Sequence, residues 1–253
     1  MAETAAFYDL DGTLIRGNIA SHWAWFARHE PSLLHTGGRL ARLALSAPRL
    51  LRLDRLDRRL GNEAFYRQFR GMSADRLDIA GEDLVAHLLT SSLYDGVHEL
   101  LASDRQAGHR LVLVTGSLDV VAEPLARALG FDDVASNHLI LDRRGLATGE
   151  LRPPVYAGPG KAEFVHRYAA EHALDLARCR AYSDDHADLP LLCAVGRPIA
   201  VNPNSRLRAT AAAHGWPISD CTAEGLKAVL QKFKEEHAAE FAASQLASVP
   251  WGA

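Results

Sequence analysis

The sequence predicts an α/β fold, a Rossmann-like doubly wound parallel sheet with an inserted helical cap domain. Two observations carry this expectation. From residue 94 onward, short apolar runs ending at turn signals alternate with helix-like segments, the pattern of parallel strands covered on both faces. Residues 17 to about 92 are helix-like throughout, with no convincing strand, and interrupt that alternation after its first strand. The expected division is an α/β core over 1–16 and 93–253 and a helical cap over 17–92, for which 253 residues are ample.

The elements follow in order. Ala5-Ala6-Phe7-Tyr8 reads as a buried strand that stops at Asp9-Leu10-Asp11-Gly12-Thr13, a Gly-containing turn. Arg110-Leu111-Val112-Leu113-Val114 is a second strand, ended by Thr115-Gly116-Ser117. A helix over 118–129 follows, closed by Gly130 at its C-cap. Residues 134–137 form a third short strand, and 139–151 a hairpin around Asp142-Arg143-Arg144-Gly145. Gly160-Lys161 opens a helix to about His172. A strand over 180–183, a short helix over 188–195 and a strand over 198–201 come next. Helices over 207–214 and 223–243 complete the set, and 248–253 reads as a loose tail. Ligands in such sheets bind at the carboxyl ends of strands, where Asp9, Thr115 and Asp184 all fall.

Composition narrows the class. Hydrophobic residues at 48% and charged residues at 23% are an ordinary globular balance, and a net charge of −3 gives no sign of a nucleic-acid binder. Cys179, Cys193 and Cys221 lie far apart, as buried small side chains in a reducing compartment do. No basic stretch leads into an apolar run at the N-terminus, and the longest apolar runs are too short to cross a bilayer. We therefore expect a cytoplasmic protein without an integral membrane segment; peripheral membrane contact and oligomeric state stay open.

Asp9 and Asp11, two residues apart at a strand end, can project to the same side of the chain, and Gly12 allows a tight turn there. Such a pair suits nucleophilic attack followed by proton transfer. Asp9 would attack phosphorus to give an aspartyl-phosphate. Asp11 would protonate the leaving alcohol and then take a proton from the attacking water. The same five residues also fit two turn aspartates capping a helix. Thr115 offers a hydroxyl, and the amides of Gly116 and Ser117 at a helix start suit a phosphoryl oxygen, although a simple N-cap reads the same way. Lys161 supplies a point charge for nucleophile and phosphoryl group, or is a surface lysine. Asp184 and Asp188 follow a strand and are either caps or ligands for a hard cation; for Mg2+, Asp9 plus Asp184 would suffice.

Together, and in this order, the four segments resemble the motifs of the haloacid dehalogenase-like superfamily, in its phosphatase branch. Asp9-Leu10-Asp11-Gly12-Thr13 matches the first motif, Val114-Thr115-Gly116-Ser117 the second, Lys161 the third, and Ser183-Asp184-Asp185-His186-Ala187-Asp188-Leu189-Pro190 the fourth. The resemblance covers about residues 5–220. It implies magnesium, an aspartyl-phosphate intermediate and a cap closing over the substrate. It also implies metal ligation by Asp9, by the main-chain carbonyl of Asp11 and by Asp184, with Asp188 in or beside the metal shell. Dehalogenases of the superfamily lack an acid at the position of Asp11, so its presence selects phosphate chemistry. The helical cap after the first motif resembles the phosphoserine phosphatase-like subgroup. Gly12-Thr13 replaces its usual Ser-Thr, and Ser183-Asp184-Asp185 its usual Gly-Asp-Gly, so the substrate is not fixed.

Between residues 39 and 70 lie nine arginines, offset only by Asp54, Asp57 and Glu63. Three readings stay open. One is an amphipathic helix pair with Leu43, Leu50, Leu53, Leu56 and Leu60 inward and a solvated basic face. In the others, some arginines steer an anionic substrate, or the basic face rests on anionic lipid. His22, Trp23, Trp25 and Phe26, at the start of the cap, either wall a pocket or form cap core.

The primary expectation is a magnesium-dependent phosphatase acting on a small phosphoserine-like or histidinol-phosphate-like monoester. The alternatives are a phospholipid or lysophospholipid phosphatase at a membrane surface, and a catalytically silent partner-binding protein.

Overall fold

The computed structural model describes residues 3–29 and 33–221, without the side chains of 33–35. The expected helix over 223–243 and the tail lie outside the described residues. Strand β1 (Thr4–Tyr8) is buried at every position, as a central strand covered on both faces must be. It pairs in parallel with β2 (His109–Leu118) on one side and β6 (Arg180–Ser183) on the other. With β3 (Asp133–Asn137), β7 (Arg197–Val201) and β8 (Ile218–Ser219), the order is β3-β2-β1-β6-β7-β8, all parallel. The chain winds one way from β1 and the other way from β6, so the topological switch lies between these two strands. A crevice opens there at their carboxyl ends.

Alternate residues of β1 feed the two cores. Tyr8 joins the cluster under α5 (Val97–Gln106) and α6 (Asp119–Leu129), while Phe7 joins the one under α7 (Pro159–Glu171), α8 (Leu189–Cys193) and α9 (Ser205–His214). Gly130 ends α6 in the left-handed conformation, as the sequence predicts. The expected helix over 188–195 is a 3-10 turn (His186–Asp188) followed by α8, with Pro190 in the first turn of α8. Two elements were not anticipated: α5, and the two-residue β8 that closes the sheet.

Between β1 and β2 the chain is helical: α1 (Ile19–Arg28), α2 (Leu33–Leu56), α3 (Arg58–Tyr66), a 3-10 turn (Arg67–Phe69) and α4 (Ala74–Ser91). Asn18 caps α1 through the amides of Ala20 and Ser21, and Asp57 caps α3 through Arg59 and Leu60. Trp23 and Phe26 pack into the core shared with α5 and α6, and Trp25 stacks on His29 and His87. The antiparallel hairpin of β4 (Leu139–Leu141) and β5 (Ala147–Leu151) braces this insertion: Gly71 N–H donates to Ala147 O and Ala147 N–H to Met72 O. One expectation fails. Leu43, Leu50 and Leu53 are partly buried, but Leu56 and Leu60 are exposed. Leucines occur all around α2, so periodicity cannot choose its inner face.

Candidate active site

A cavity of about 300 Å3 opens at the switch point. Asp9, Asp11, Gly116, Lys161, Asp184 and Asp188 line it from the sheet side, and Gly17, Asn18, Ile19, Arg58 and Asn62 from the helical insertion. The expected residues thus converge, with one exception: Thr115 is wholly buried and does not line the cavity. Its Oγ1 accepts the Ser117 amide at 3.0 Å and shapes the turn that presents Gly116.

Asp9 follows β1 directly, and its amide donates to Tyr182 O of β6 at 2.9 Å, which fixes it at the strand junction. Lys161, in the first turn of α7, donates to Asp9 Oδ1 and Asp188 Oδ2, each at 2.6 Å. Ser183 Oγ also donates to Asp188 Oδ2, at 2.8 Å. Burial works against the ammonium, but Asp188 and Asp9 outweigh it and hold the Lys161 pKa above its ordinary value. Burial pushes the Asp9 carboxyl up to about 7, with Lys161 opposing and Asp188 assisting. Burial, then the nearby Asp9, Asp185 and Asp188 carboxylates, push Asp184 up to about 8.

Gly12 is required by this packing. Its φ is +84°, and a Cβ there would lie 2.1 Å from Asp184 Oδ2. Asn202 Nδ2 donates to Gly12 O at 3.1 Å, and the Asn204 amide to Asp184 O at 2.8 Å, so the segment after β7 braces both acidic loops. Three carboxylates crowd one ammonium, and two have raised proton affinity. Such an oxygen-rich, net-negative donor set fits a hard divalent cation.

Asp11 is held from two sides. Ser117 Oγ donates to Asp11 Oδ2 at 2.5 Å. The buried His22 faces the other oxygen, with Nε2 3.4 Å from Oδ1 and Nδ1 3.4 Å from Ser117 Oγ. The sequence marked His22 only as a candidate wall residue; its contact with Asp11 depends on how α1 returns over the sheet. None of His22, Trp23, Trp25 and Phe26 lines the cavity itself.

Among the cavity residues of the insertion, Asn62 carried no sequence signal and Arg58 was only one of nine arginines. Asn62 is buried beside Gly116, where a Cβ would lie 2.8 Å from its Nδ2. Tyr66 OH and Asn137 Nδ2 both donate to Gly116 O, at 2.7 and 2.8 Å, and so strap this turn to α3 and β3. Arg58 is the one of the nine arginines that lines this cavity; it pairs with Asp54 at 2.9 Å and lies 3.9 Å from Asp185. Burial lowers its pKa, but Asp54 and Asp185 outweigh that and raise it. Asp185 Oδ1 accepts the Ala187 amide at 2.8 Å and caps the following turn. Outside the cavity, Asp119 and Glu123 of α6 form a half-buried group with His138, whose Nδ1 lies 2.8 Å from Asp119 Oδ2.

A model of the haloacid dehalogenase-like hydrolases matches residues 6–192. The inhibition of morphological differentiation protein of Streptomyces azureus is 33% identical, over 87% of this chain and 79% of that protein. Phosphoserine phosphatase SerB1 of Mycobacterium tuberculosis is also 33% identical, over 85% of this chain and 70% of its own length. Among solved structures, a protein of unknown function from Bordetella pertussis matches with a TM-score of 0.73 and 28% identity, over 87% of this chain and 100% of that one.

Proposed function

This chain belongs to the haloacid dehalogenase-like hydrolase family as a phosphoric monoester hydrolase, and from that premise we propose a magnesium-dependent reaction through a phosphoryl group on Asp9. The observation that carries the reading is the convergence of Asp9, Asp11, Lys161 and Asp184 on one cavity from separate segments of the chain.

An Asp9 carboxylate oxygen attacks phosphorus as the bond from phosphorus to the ester oxygen breaks, and Asp11 gives its proton to the departing alkoxide. Water then attacks the acyl phosphate and passes a proton to Asp11, which returns Asp9 as carboxylate and releases phosphate. Lys161, 2.6 Å from Asp9 Oδ1, holds the nucleophile and offsets charge on the phosphoryl group. The Gly116 turn borders the phosphoryl position. Thr115, buried beneath it, acts by shaping that turn. Asp9, the Asp11 carbonyl and Asp184 would hold Mg2+, with Asp188 alongside. The ion supplies charge neutralisation to the phosphoryl oxygens.

The cavity favours a small polar leaving group. Its walls are mainly charged or amide-bearing, with Asn18, Arg58, Asn62 and Asp185 near the insertion, and Ile19, the Tyr156 ring, Ala157 and Ala187 are its small apolar part. That supports a phosphoserine-like or histidinol-phosphate-like monoester over a phospholipid, whose acyl chains would find little apolar wall. The test is turnover of a panel of phosphorylated metabolites with magnesium and with chelator. Small polar esters should be turned over only with magnesium. Preference for a lysophospholipid, or full activity in chelator, contradicts the reading.

A further inference from the structure

The proposed reaction gives no role to the outward face of α2. Leu43 and Leu50 pack toward the core. Around the rest of the helix Leu40, Leu45, Leu51 and Leu56 stand out, between 52% and 86% exposed, with Leu56 at the edge of a cleft that reaches Asn204. Arg42, Arg49, Arg52 and Arg55 are exposed among them. At 3.6 residues per turn these eight side chains fall within roughly 200° of the helix circumference. The one acid of α2, Asp54, is half-buried and pairs with Arg58. Among the described residues none of the four arginines forms an ion pair.

This composition limits what can cover the face. Leucines at such exposure gain by leaving water, yet any neutral protein surface that covered them would also strip water from four unpaired guanidinium groups. A second copy docked by two-fold symmetry would bring the arginines face to face. A bilayer rich in anionic lipid satisfies both kinds of side chain. The leucines enter the boundary between head groups and acyl chains, while the arginines lay their stems along them and reach the phosphates. The protein's net charge of −3 makes this local run of positive charge a directional feature rather than a general one.

We propose that the outward face of α2 docks this protein on an anionic lipid bilayer, with the helix lying in the plane of the interface. The inference does not depend on the reaction proposed above. Arg58, just past the end of α2, lines the catalytic cavity, so docking sets the cavity entrance close to the membrane.

The test is co-sedimentation of the full chain with vesicles of phosphatidylglycerol and phosphatidylcholine, or of phosphatidylcholine alone, at low and physiological salt. Binding should require phosphatidylglycerol and weaken with salt. An Arg49→Ser/Arg52→Ser variant should bind roughly 25-fold more weakly, about fivefold per arginine at about 1 kcal/mol each. A Leu45→Ser/Leu51→Ser variant should lose binding comparably. Both variants should hydrolyse a soluble phosphate ester at the wild-type rate, which reports an intact fold and keeps membrane binding separate from catalysis. No binding at low salt overturns the proposal, as does binding that either double variant leaves unchanged. A wild-type dimer that Leu45→Ser/Leu51→Ser converts to monomer would assign the face to a second copy instead and overturn it.

Discussion

Lys161 Nζ sits between Asp9 Oδ1 and Asp188 Oδ2, 2.6 Å from each and almost wholly buried. Replacing it by methionine keeps the volume but leaves two buried carboxylates without their cation. Lys161→Met should lower kcat on the order of 10²-fold or more and destabilise the protein by about 3–5 kcal/mol. Steady-state kinetics and urea titration check the two effects. Asp11 and its holders give a second expectation. Asp11→Asn should slow alkyl phosphates far more than an aryl phosphate, whose leaving group departs without a proton. Ser117→Ala, which frees Asp11 Oδ2, should lower kcat about tenfold with little change in KM, because a misplaced proton donor fails mainly in the transition state. Asp9 and Asp11 stood out in the sequence as a carboxylate pair at a strand end, whereas Lys161, at a helix start, was picked out only by its place in the order of the four segments. Asn62 and the contact of His22 with Asp11 were not legible, since both depend on the tertiary path of the insertion, and Arg58 was readable only as one of nine arginines.

At the scale of elements, a buried network ties α5 to the two strands that flank the crevice. Asp104 of α5 accepts from Tyr8 OH of β1 and Arg180 Nη1 of β6, and all three residues are fully buried. Asp104→Ala leaves a guanidinium in the core without its carboxylate, and should cost about 3–5 kcal/mol in equilibrium unfolding. The network lies outside the cavity, so kcat of the folded variant should stay near wild type; an equal loss of kcat would show that it also shapes the site. α5 has apolar residues at Val97, Leu100 and Leu101, a helical spacing too short to stand out from sequence. β8 has two residues and exists only because β7 offers it a ladder. The central strands β1 and β2 were legible because burial on both faces demands continuous apolar runs. The outward leucines of α2 were not, because a helix with leucine on all sides has no preferred inner face in its pattern.

Across the whole molecule, the sheet order places β1 and β6 side by side and gathers residues from 9 to 188 at their carboxyl ends. Alternating strands and helices made that fold class readable, while the cavity's shape and its polar outer wall required the packed insertion. The gathering of acids also sets a pH dependence. Asp9 and Asp184 have folded-state pKa values raised to about 7 and about 8, so folding favours their protonated forms. Their contribution to stability is full below the ordinary carboxylate pKa and is lost as pH rises through 7 and 8. In chelator the melting temperature should therefore fall from acid toward pH 8. Magnesium, bound by the ionised carboxylates, should raise it most at the alkaline end. A magnesium effect larger at acid pH would contradict this assignment. The central claim is that Asp9 carries the phosphoryl group between the two half-reactions. Its most direct test is rapid acid quench of the enzyme during turnover of a phosphate ester, followed by peptide mass analysis. A phosphoryl group on the Asp9 peptide, absent in Asp9→Asn, is the predicted result; turnover by Asp9→Asn, or a phosphoryl group on any other residue, would contradict it.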